Sequence, residues 1–274
     1  MENDFTAEAP QLDIILPSFR DPRILEAIAS VRAFDDLDTT RILLIDGGSD
    51  EVLLQSIRPM LRSHDVLVSE PDRGIFDALN KGLDLVAAPC VGWIGSDDLY
   101  SQDVKASEVV AALAQADLFI TSLLLVDGAR TLRKTHSWPS AVGLASWGLH
   151  NPHYATFGRA ELLTGERFVI DQLSSDIDYF LRIFARRPHA LSTPKVGLIQ
   201  AAGGYSNAGL GKIMQVNRNA YWAYARNSNP LKALLSVGIK LGYKAVGTIV
   251  YRILAREWIG SYPELRTIHR PKAA

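Results

Sequence analysis

Asp97 and Asp98 stand side by side directly after the apolar run Val91 to Ile94 and the turn residues Gly95 and Ser96. A carboxylate pair at a strand end suits a magnesium or manganese ion that arrives on a nucleoside diphosphate. Such an ion keeps only one or two protein carboxylates and draws its other ligands from phosphate and water. An isolated Asp-Asp more simply caps a helix, here one starting near Ser101, but two similar clusters favour the metal. These are Pro17-Ser18-Phe19-Arg20 and Asp46-Gly47-Gly48-Ser49, each following an apolar run. In an open parallel sheet, ligands bind outside the carboxyl ends of the strands. The three clusters are therefore expected on one rim, where helix amino ends favour the phosphates of a nucleotide.

Asp176 and Asp178 open a later helical pattern. A carboxylate at a helix start caps it and favours its dipole. His153 taken alone reads as a satisfied structural histidine. Trp147 and Tyr154 read as buried packing with some capacity to stack on a sugar. Gly203-Gly204-Tyr205-Ser206 reads as a turn.

Apolar patterning predicts the elements that position these residues. Through the first hundred residues short apolar runs alternate with helical stripes, the mark of βαβ units around a largely parallel sheet. Leu12 to Leu16, Arg41 to Ile45, Val66 to Val68 and Val91 to Ile94 read as strands. Asp21-Pro22 reads as the cap and first turn of a helix with the stripe Ile24, Leu25, Ile28 and Val31. Ser49 reads as the cap of a second helix, and Gly74 to Ala87 as a third. Further on, Leu118 to Val126 and a return strand from Arg130 flank an Asp127-Gly128 turn. Ser175 to Ala185 reads as a helix and Lys195 to Gln200 as a last strand. Leu231 to Trp258, after the Asn229-Pro230 break, reads as a long helix.

The 274 residues allow one large domain or a domain with an appendage, and 47% hydrophobic with 22% charged residues is an ordinary soluble composition. Cys90 is the single cysteine, which excludes an internal disulfide and fits a reducing compartment. Met1 to Pro10 is acidic and lacks the marks of a signal peptide, and no uncharged apolar stretch is long enough to span a bilayer. A cytoplasmic location is expected.

The net charge of −1 hides an asymmetry: from Gly211 onward eleven Lys and Arg face only Glu257 and Glu264, leaving 18 basic against 28 acidic residues elsewhere. Two units are expected: 1–210, with a nucleotide part about 11–100 and an acceptor part about 101–210, and a basic helical extension 211–274. The extension mixes cations with Tyr221, Trp222, Tyr224, Tyr243, Tyr251, Trp258 and Tyr262. Such a mixture suits the inner face of an anionic membrane, and equally a helical appendage packed on the domain. Nucleic acid is disfavoured, since no binding motif accompanies the charge.

Ser69-Glu70-Pro71-Asp72-Arg73-Gly74-Ile75-Phe76-Asp77-Ala78-Leu79-Asn80-Lys81-Gly82 closely resembles a signature of the family 2 glycosyltransferases that build bacterial surface polysaccharides. In those proteins the signature runs through a strand to an acidic pair like Gly95-Ser96-Asp97-Asp98. Leu16-Pro17-Ser18-Phe19, Ile45-Asp46-Gly47-Gly48-Ser49, Pro152-His153-Tyr154-Ala155-Thr156-Phe157 and Ser175-Asp176-Ile177-Asp178-Tyr179-Phe180-Leu181-Arg182 are similar to that family's other motifs, in order. The resemblance covers roughly Leu12 to Ser206. It implies a GT-A fold, a Rossmann-like, mostly parallel α/β sheet flanked by helices.

The resemblance also implies roles. Asp98 ligates a divalent metal (Mn or Mg), with Asp97 near the ribose or behind the metal. Pro17, Ser18 and Asp46 line the nucleotide site, and Arg73 and Asp77 face the base or the diphosphate. Asp176 is the general base, Asp178 competes for that place, and His153 lies near the acceptor or the diphosphate. Two positions depart from the family pattern. Gly47 stands where many relatives have a second acidic residue that reads the base, and Arg20 where many have asparagine.

The expected activity is inverting transfer of a sugar from a nucleoside-diphosphate donor, UDP being the commonest, to an acceptor hydroxyl of a lipid-linked or surface-glycan precursor. A nucleotidyltransferase is a competing reading, but Pro17-Ser18-Phe19-Arg20 is not the glycine-rich basic loop such enzymes carry after their first strand. A non-catalytic binding module is another, opposed by the retention of Asp98 and Asp176.

Overall fold

The computed structural model describes residues 9–127, 130–134, 153–170, 172–201 and 210–254. Trp147, Pro152, Gly203 to Ser206, Trp258 and Tyr262 lie outside the described residues. Strand β1 (Leu12–Ser18) is buried along its whole length, as expected of a near-continuous apolar run covered on both faces. It pairs in parallel with β2 (Thr40–Asp46) on one side. Beyond β2 lies β3 (Val66–Ser69), also parallel, and on the other side of β1 lies β4 (Cys90–Trp93). The crossovers are α1 (Ile24–Phe34), α2 (Glu51–Ile57) and α3 (Ile75–Leu85). Register sets Ser18 opposite Asp46 and Asp46 opposite Ser69. Three strands therefore end level, which places their following loops on one rim.

The sheet then changes character. Past β4 it continues through β8 (Thr156–Arg159), β6 (Leu118–Asp127), β9 (Ala190–Ala201) and β5 (Asp98–Tyr100), with β7 (Arg130–Lys134) paired to β6. The β6–β9 pair is parallel and the other pairings in this half are antiparallel. Helices α4 (Ala106–Leu113), α5 (Ala160–Leu163) and α6 (Ser175–Ala185) belong to this half, and α7 (Leu210–Asn227) and α8 (Pro230–Leu254) form the extension.

Several local expectations shift by a few residues. Asp50, not Ser49, caps α2, accepting from the Leu53 N–H at 2.9 Å. Asp21 folds back on Arg23 ahead of α1, which starts at Ile24. Asp98 enters β5 rather than capping a helix at Ser101. Strand β9 begins five residues before the expected Lys195. Pro194 lies in it where the β6 register slips, an irregularity that spares its missing N–H.

The two halves are joined by aromatic packing behind the rim. Trp93 meets Phe168, Tyr179 and Phe180 edge to face, with centroids 6.0, 6.0 and 6.2 Å away. Phe168 stacks on Tyr179 at 4.1 Å. Such pairs add roughly 0.5–1.5 kcal/mol each beyond the area they bury. Asn80 clamps the same place, its amide donating to the Phe168 carbonyl at 2.9 Å and its oxygen accepting the Phe168 N–H at 2.8 Å. Helix α3 of the parallel half thus fixes the segment that leads into α6.

Candidate functional site

On the rim, the carboxylate of Asp46 is fully buried and holds its own loop. One oxygen accepts from the N–H groups of Gly48 (3.1 Å) and Ser49 (2.8 Å) and from the Ser69 hydroxyl (2.7 Å). The other accepts from the Ser49 hydroxyl at 2.5 Å. Ser49 in turn accepts the Arg20 N–H at 2.7 Å, and the Gly47 N–H donates to the Ser18 carbonyl at 2.8 Å. The first two rim loops and the end of β3 are therefore one hydrogen-bonded unit. Ser18 is 5% exposed, and its hydroxyl finds no partner among the described residues. A polar atom left this way beside a binding rim is a natural ligand contact.

Gly47 has a steric cause. A Cβ there would lie 2.7 Å from Oδ2 of Asp72 and 3.2 Å from the Phe19 ring. Asp72 is held in that position because its other oxygen accepts the Gly74 N–H at 2.8 Å. An acidic side chain is thus present beside Gly47, supplied from position 72. Asp77 turns inward, accepting the Arg73 N–H at 3.1 Å and its guanidinium at 3.0 Å. The Arg73 hydrogen bonds hold the Asp77 carboxyl below its usual range, while the Arg73 side chain is mostly solvent-exposed.

The acidic pair converges across Gly95. A Cβ on that glycine would come within 3.0 Å of Oδ2 of Asp98 and 3.2 Å of Oδ1 of Asp97. Asp98 is 2% exposed and accepts from the Gln200 amide at 3.2 Å across the β5–β9 pairing. Asp97 stands 3.5 Å from the Arg23 guanidinium, which also makes a fork to Asp21 at 2.6–3.2 Å. Ser96 adds a 3.2 Å hydrogen bond to Asp21. Burial works to raise the Asp21 carboxyl, but the Arg23 contacts outweigh it and hold it below its ordinary value. The loop after β1 is thereby fastened to the loop of the acidic pair. Hard oxygens turned over a glycine fit a divalent ion that shares its shell with a diphosphate. Among the described residues no three or more His, Cys, Asp or Glu form a full protein cage.

The opposite wall comes from the second half. Residues 153–155 form a short 3₁₀ turn that His153 opens. Tyr154, in that turn, is 8% exposed. Burial first, then the carboxylates of Asp98, Asp97 and Asp176, push its phenol well above the tyrosine range. One side chain thus lies in electrostatic reach of both the acidic pair and the first turn of α6. Asp176 is half-buried there. Asp178, two residues on, faces away into α7. Its carboxylate is 5% exposed and accepts from Arg182 (3.2 Å), Arg226 (3.3 Å) and Asn227 (3.0 Å). The sequence singled out Asp97, Asp98 and Asp176; the first two converge over Gly95, and the third stands half-buried in the first turn of α6. Asp46 and Asp77 are spent on the backbone around them. Arg23, Asp72 and Gln200 were missed, because their place at the site depends on contacts between loops far apart in sequence.

A parallel half ending in an acidic pair, joined to a mixed half with a helix-borne carboxylate, is the GT-A glycosyltransferase architecture. Residues 13–174 match Glycosyl transferase family 2, and the chain belongs to that family. PGL/p-HBAD biosynthesis glycosyltransferases of Mycobacterium bovis and Mycobacterium tuberculosis are 32% identical over 102 residues, covering 36% of this chain and 40% of theirs. The match thus spans less than half the length of those relatives. Staphylococcus aureus TarS 1-349, solved in complex with UDP-GlcNAc, superposes with a TM-score of 0.63 at 13% identity, over 94% of this chain and 78% of that one. A longer TarS structure is matched over 43% of its length. The Pyrobaculum calidifontis mannosyltransferase PcManGT, solved with GDP-Man and Mn2+, gives 0.54 at 16% identity, over 96% and 84%. At these identities the likeness shows the fold.

Proposed function

We propose that this chain transfers a sugar, with inversion, from a nucleoside-diphosphate donor to an acceptor hydroxyl. The observation that carries this reading is the convergence of the Asp97 and Asp98 carboxylates over Gly95, just past the end of β4. The rise of the buried Tyr154 phenol, to which Asp98, Asp97 and Asp176 contribute after burial, supports it. A donor diphosphate at the acidic pair would then lie opposite a carboxylate able to deprotonate an incoming hydroxyl. Pro17 and Ser18 line the nucleotide at the β1 end, and exposed Arg73 reaches the base or the diphosphate. Asp46 and Asp77 keep these loops in shape. Asp98, with Asp97 beside it, would hold a magnesium or manganese ion. That ion supplies charge stabilisation to the departing diphosphate. Asp176 takes the acceptor proton as the glycosidic bond forms, so no free hydroxide is needed at neutral pH.

UDP is the favoured nucleotide, a reading supported by the TarS likeness. An acceptor on a lipid-linked or surface-glycan precursor is supported by relatives named for PGL/p-HBAD biosynthesis. Family membership removes the support for a nucleotidyltransferase.

We also assign the extension to the inner membrane face, with the body of the protein in the cytoplasm. Leu231, Leu234, Leu235, Ile239 and Leu241 form an exposed apolar strip on α8, on a helix that also carries Lys232, Lys240 and Lys244. Among the described residues no helix is long and apolar enough to cross a membrane.

Asp176→Asn is the direct test. It is expected to keep manganese-dependent UDP-sugar binding in a thermal-shift titration and to lower sugar transfer into lipid-extract acceptors by about 10²–10⁴-fold. Wild-type transfer by this variant would remove Asp176 from the base role.

A further inference from the structure

The acidic pair has a cation already beside it. Arg23 lies between β1 and α1, and Asp21 fixes its guanidinium. Nε donates to both Asp21 oxygens, at 2.9 and 3.2 Å, and Nη2 donates to Oδ2 at 2.6 Å. The Arg23 N–H adds a bond to Oδ1 at 3.0 Å. This fork leaves Nη1 turned toward Asp97, 3.5 Å from its Oδ2. The Ser96 hydroxyl also donates to Asp21, at 3.2 Å. The carboxylate that aims the guanidinium is therefore itself tied to the loop of the pair.

Stability does not account for the arrangement. The Arg23 side chain is 53% exposed and that of Asp97 35%, and ion pairs so open to water contribute little. Their effect on a bound ion is another matter. Asp97 and Asp98 converge over Gly95, so a positive charge fixed beside Asp97 faces the place where a metal would sit. Hydrogen bonding to Asp21 first, and then the charges of Asp21, Asp97 and Asp98, outweigh partial burial and hold the guanidinium above its ordinary range. Arg23 is therefore charged at every working pH.

We propose that Arg23 is the resident counter-ion of the acidic pair: it weakens the pair's grip on a free divalent ion, so that the ion is held well only together with a diphosphate. Phosphate oxygens supply the charge and ligands that the pair by itself lacks. The empty site then stays clear of stray metal, and the ion enters and leaves with the nucleotide.

The inference rests on the acidic pair holding the ion, and the test separates the two. Manganese binding to the full chain is read by electron paramagnetic resonance at low salt, without nucleotide and then with UDP. Removing one positive charge beside a divalent ion is expected to tighten nucleotide-free binding roughly fivefold in Arg23→Gln. Arg23→Lys keeps the charge and should stay within about twofold of the wild type. A role confined to fastening the two loops has the opposite sign, because its loss would loosen the pair and weaken binding. In the wild type, UDP should tighten manganese binding about tenfold or more. Position 23 is exposed enough for the fold to tolerate either change.

Unchanged or weaker nucleotide-free binding in Arg23→Gln overturns the proposal. Binding by Arg23→Lys as tight as that of Arg23→Gln does so too, as does wild-type binding that UDP leaves unimproved. If Asp98→Ala loses manganese while Arg23→Gln matches the wild type, the pair keeps the ion and Arg23 alone is dismissed. If Asp98→Ala binds manganese as the wild type does, the ion lies elsewhere and both readings fall.

Discussion

The loop rim of the parallel half and the α6 wall of the mixed half are held in different ways. On the rim, Asp46, Asp72 and Asp77 bind backbone N–H groups within four residues of themselves, so each loop has a local scaffold to which the longer ties Arg20–Ser49 and Ser69–Asp46 are added. On the α6 wall, the first turn is held by long-range partners: Phe168 clamped by Asn80, Ser174 on Val216, and Asp178 held by Arg226. A locally scaffolded loop keeps more of its geometry when a distant contact fails than a wall held by distant contacts does.

Three changes sharpen or break that contrast. The largest effect is expected from Asp98→Ala. A bound metal supplies several kcal/mol to the leaving charge, so turnover should fall about 10³-fold. Calorimetry with UDP should also lose its manganese dependence. Undiminished manganese-dependent UDP affinity would move the metal elsewhere.

Next comes Asp178→Ala, which removes the carboxylate shared by Arg182, Arg226 and Asn227 and is expected to cost roughly 2 kcal/mol of stability through lost charged hydrogen bonds. UDP affinity should survive in the folded fraction while transfer is lost. Equal losses of both would mean that the two halves are not independent.

The smallest effect is expected from Leu234→Ser with Leu235→Ser on the outer face of α8, where exposed substitutions shift stability by only about ±0.5 kcal/mol. Co-sedimentation with anionic phosphatidylserine vesicles at low salt should drop severalfold while the melting temperature stays put. Unchanged sedimentation would take the apolar strip out of membrane binding.

The same contrast explains what was legible in the sequence. The parallel half was readable because its signals are local. Leu12 to Leu16 is an unbroken apolar run, and Ile75, Leu79 and Leu83 fall on one face of α3. The polar loops had to share a rim once the strands ran parallel. The span of α6 was legible through its periodicity. The clamp of Arg23 on Asp21 and Asp97 was hidden, since Asp21-Pro22 looks like an ordinary helix start. Strand β9 was shortened because Pro194 reads as a breaker, and only the bulged pairing with β6 accommodates it.

Gly47 and Asp72 compete for a single small volume beside Phe19. A residue with any side chain at position 47 must therefore be accompanied by retreat or shortening at position 72. Divergence in this pocket should proceed by exchange: one carboxylate migrates between two stretches of chain while the pocket keeps the same charge. Counting acidic residues at position 47 alone would miss the carboxylate that position 72 brings to the same volume.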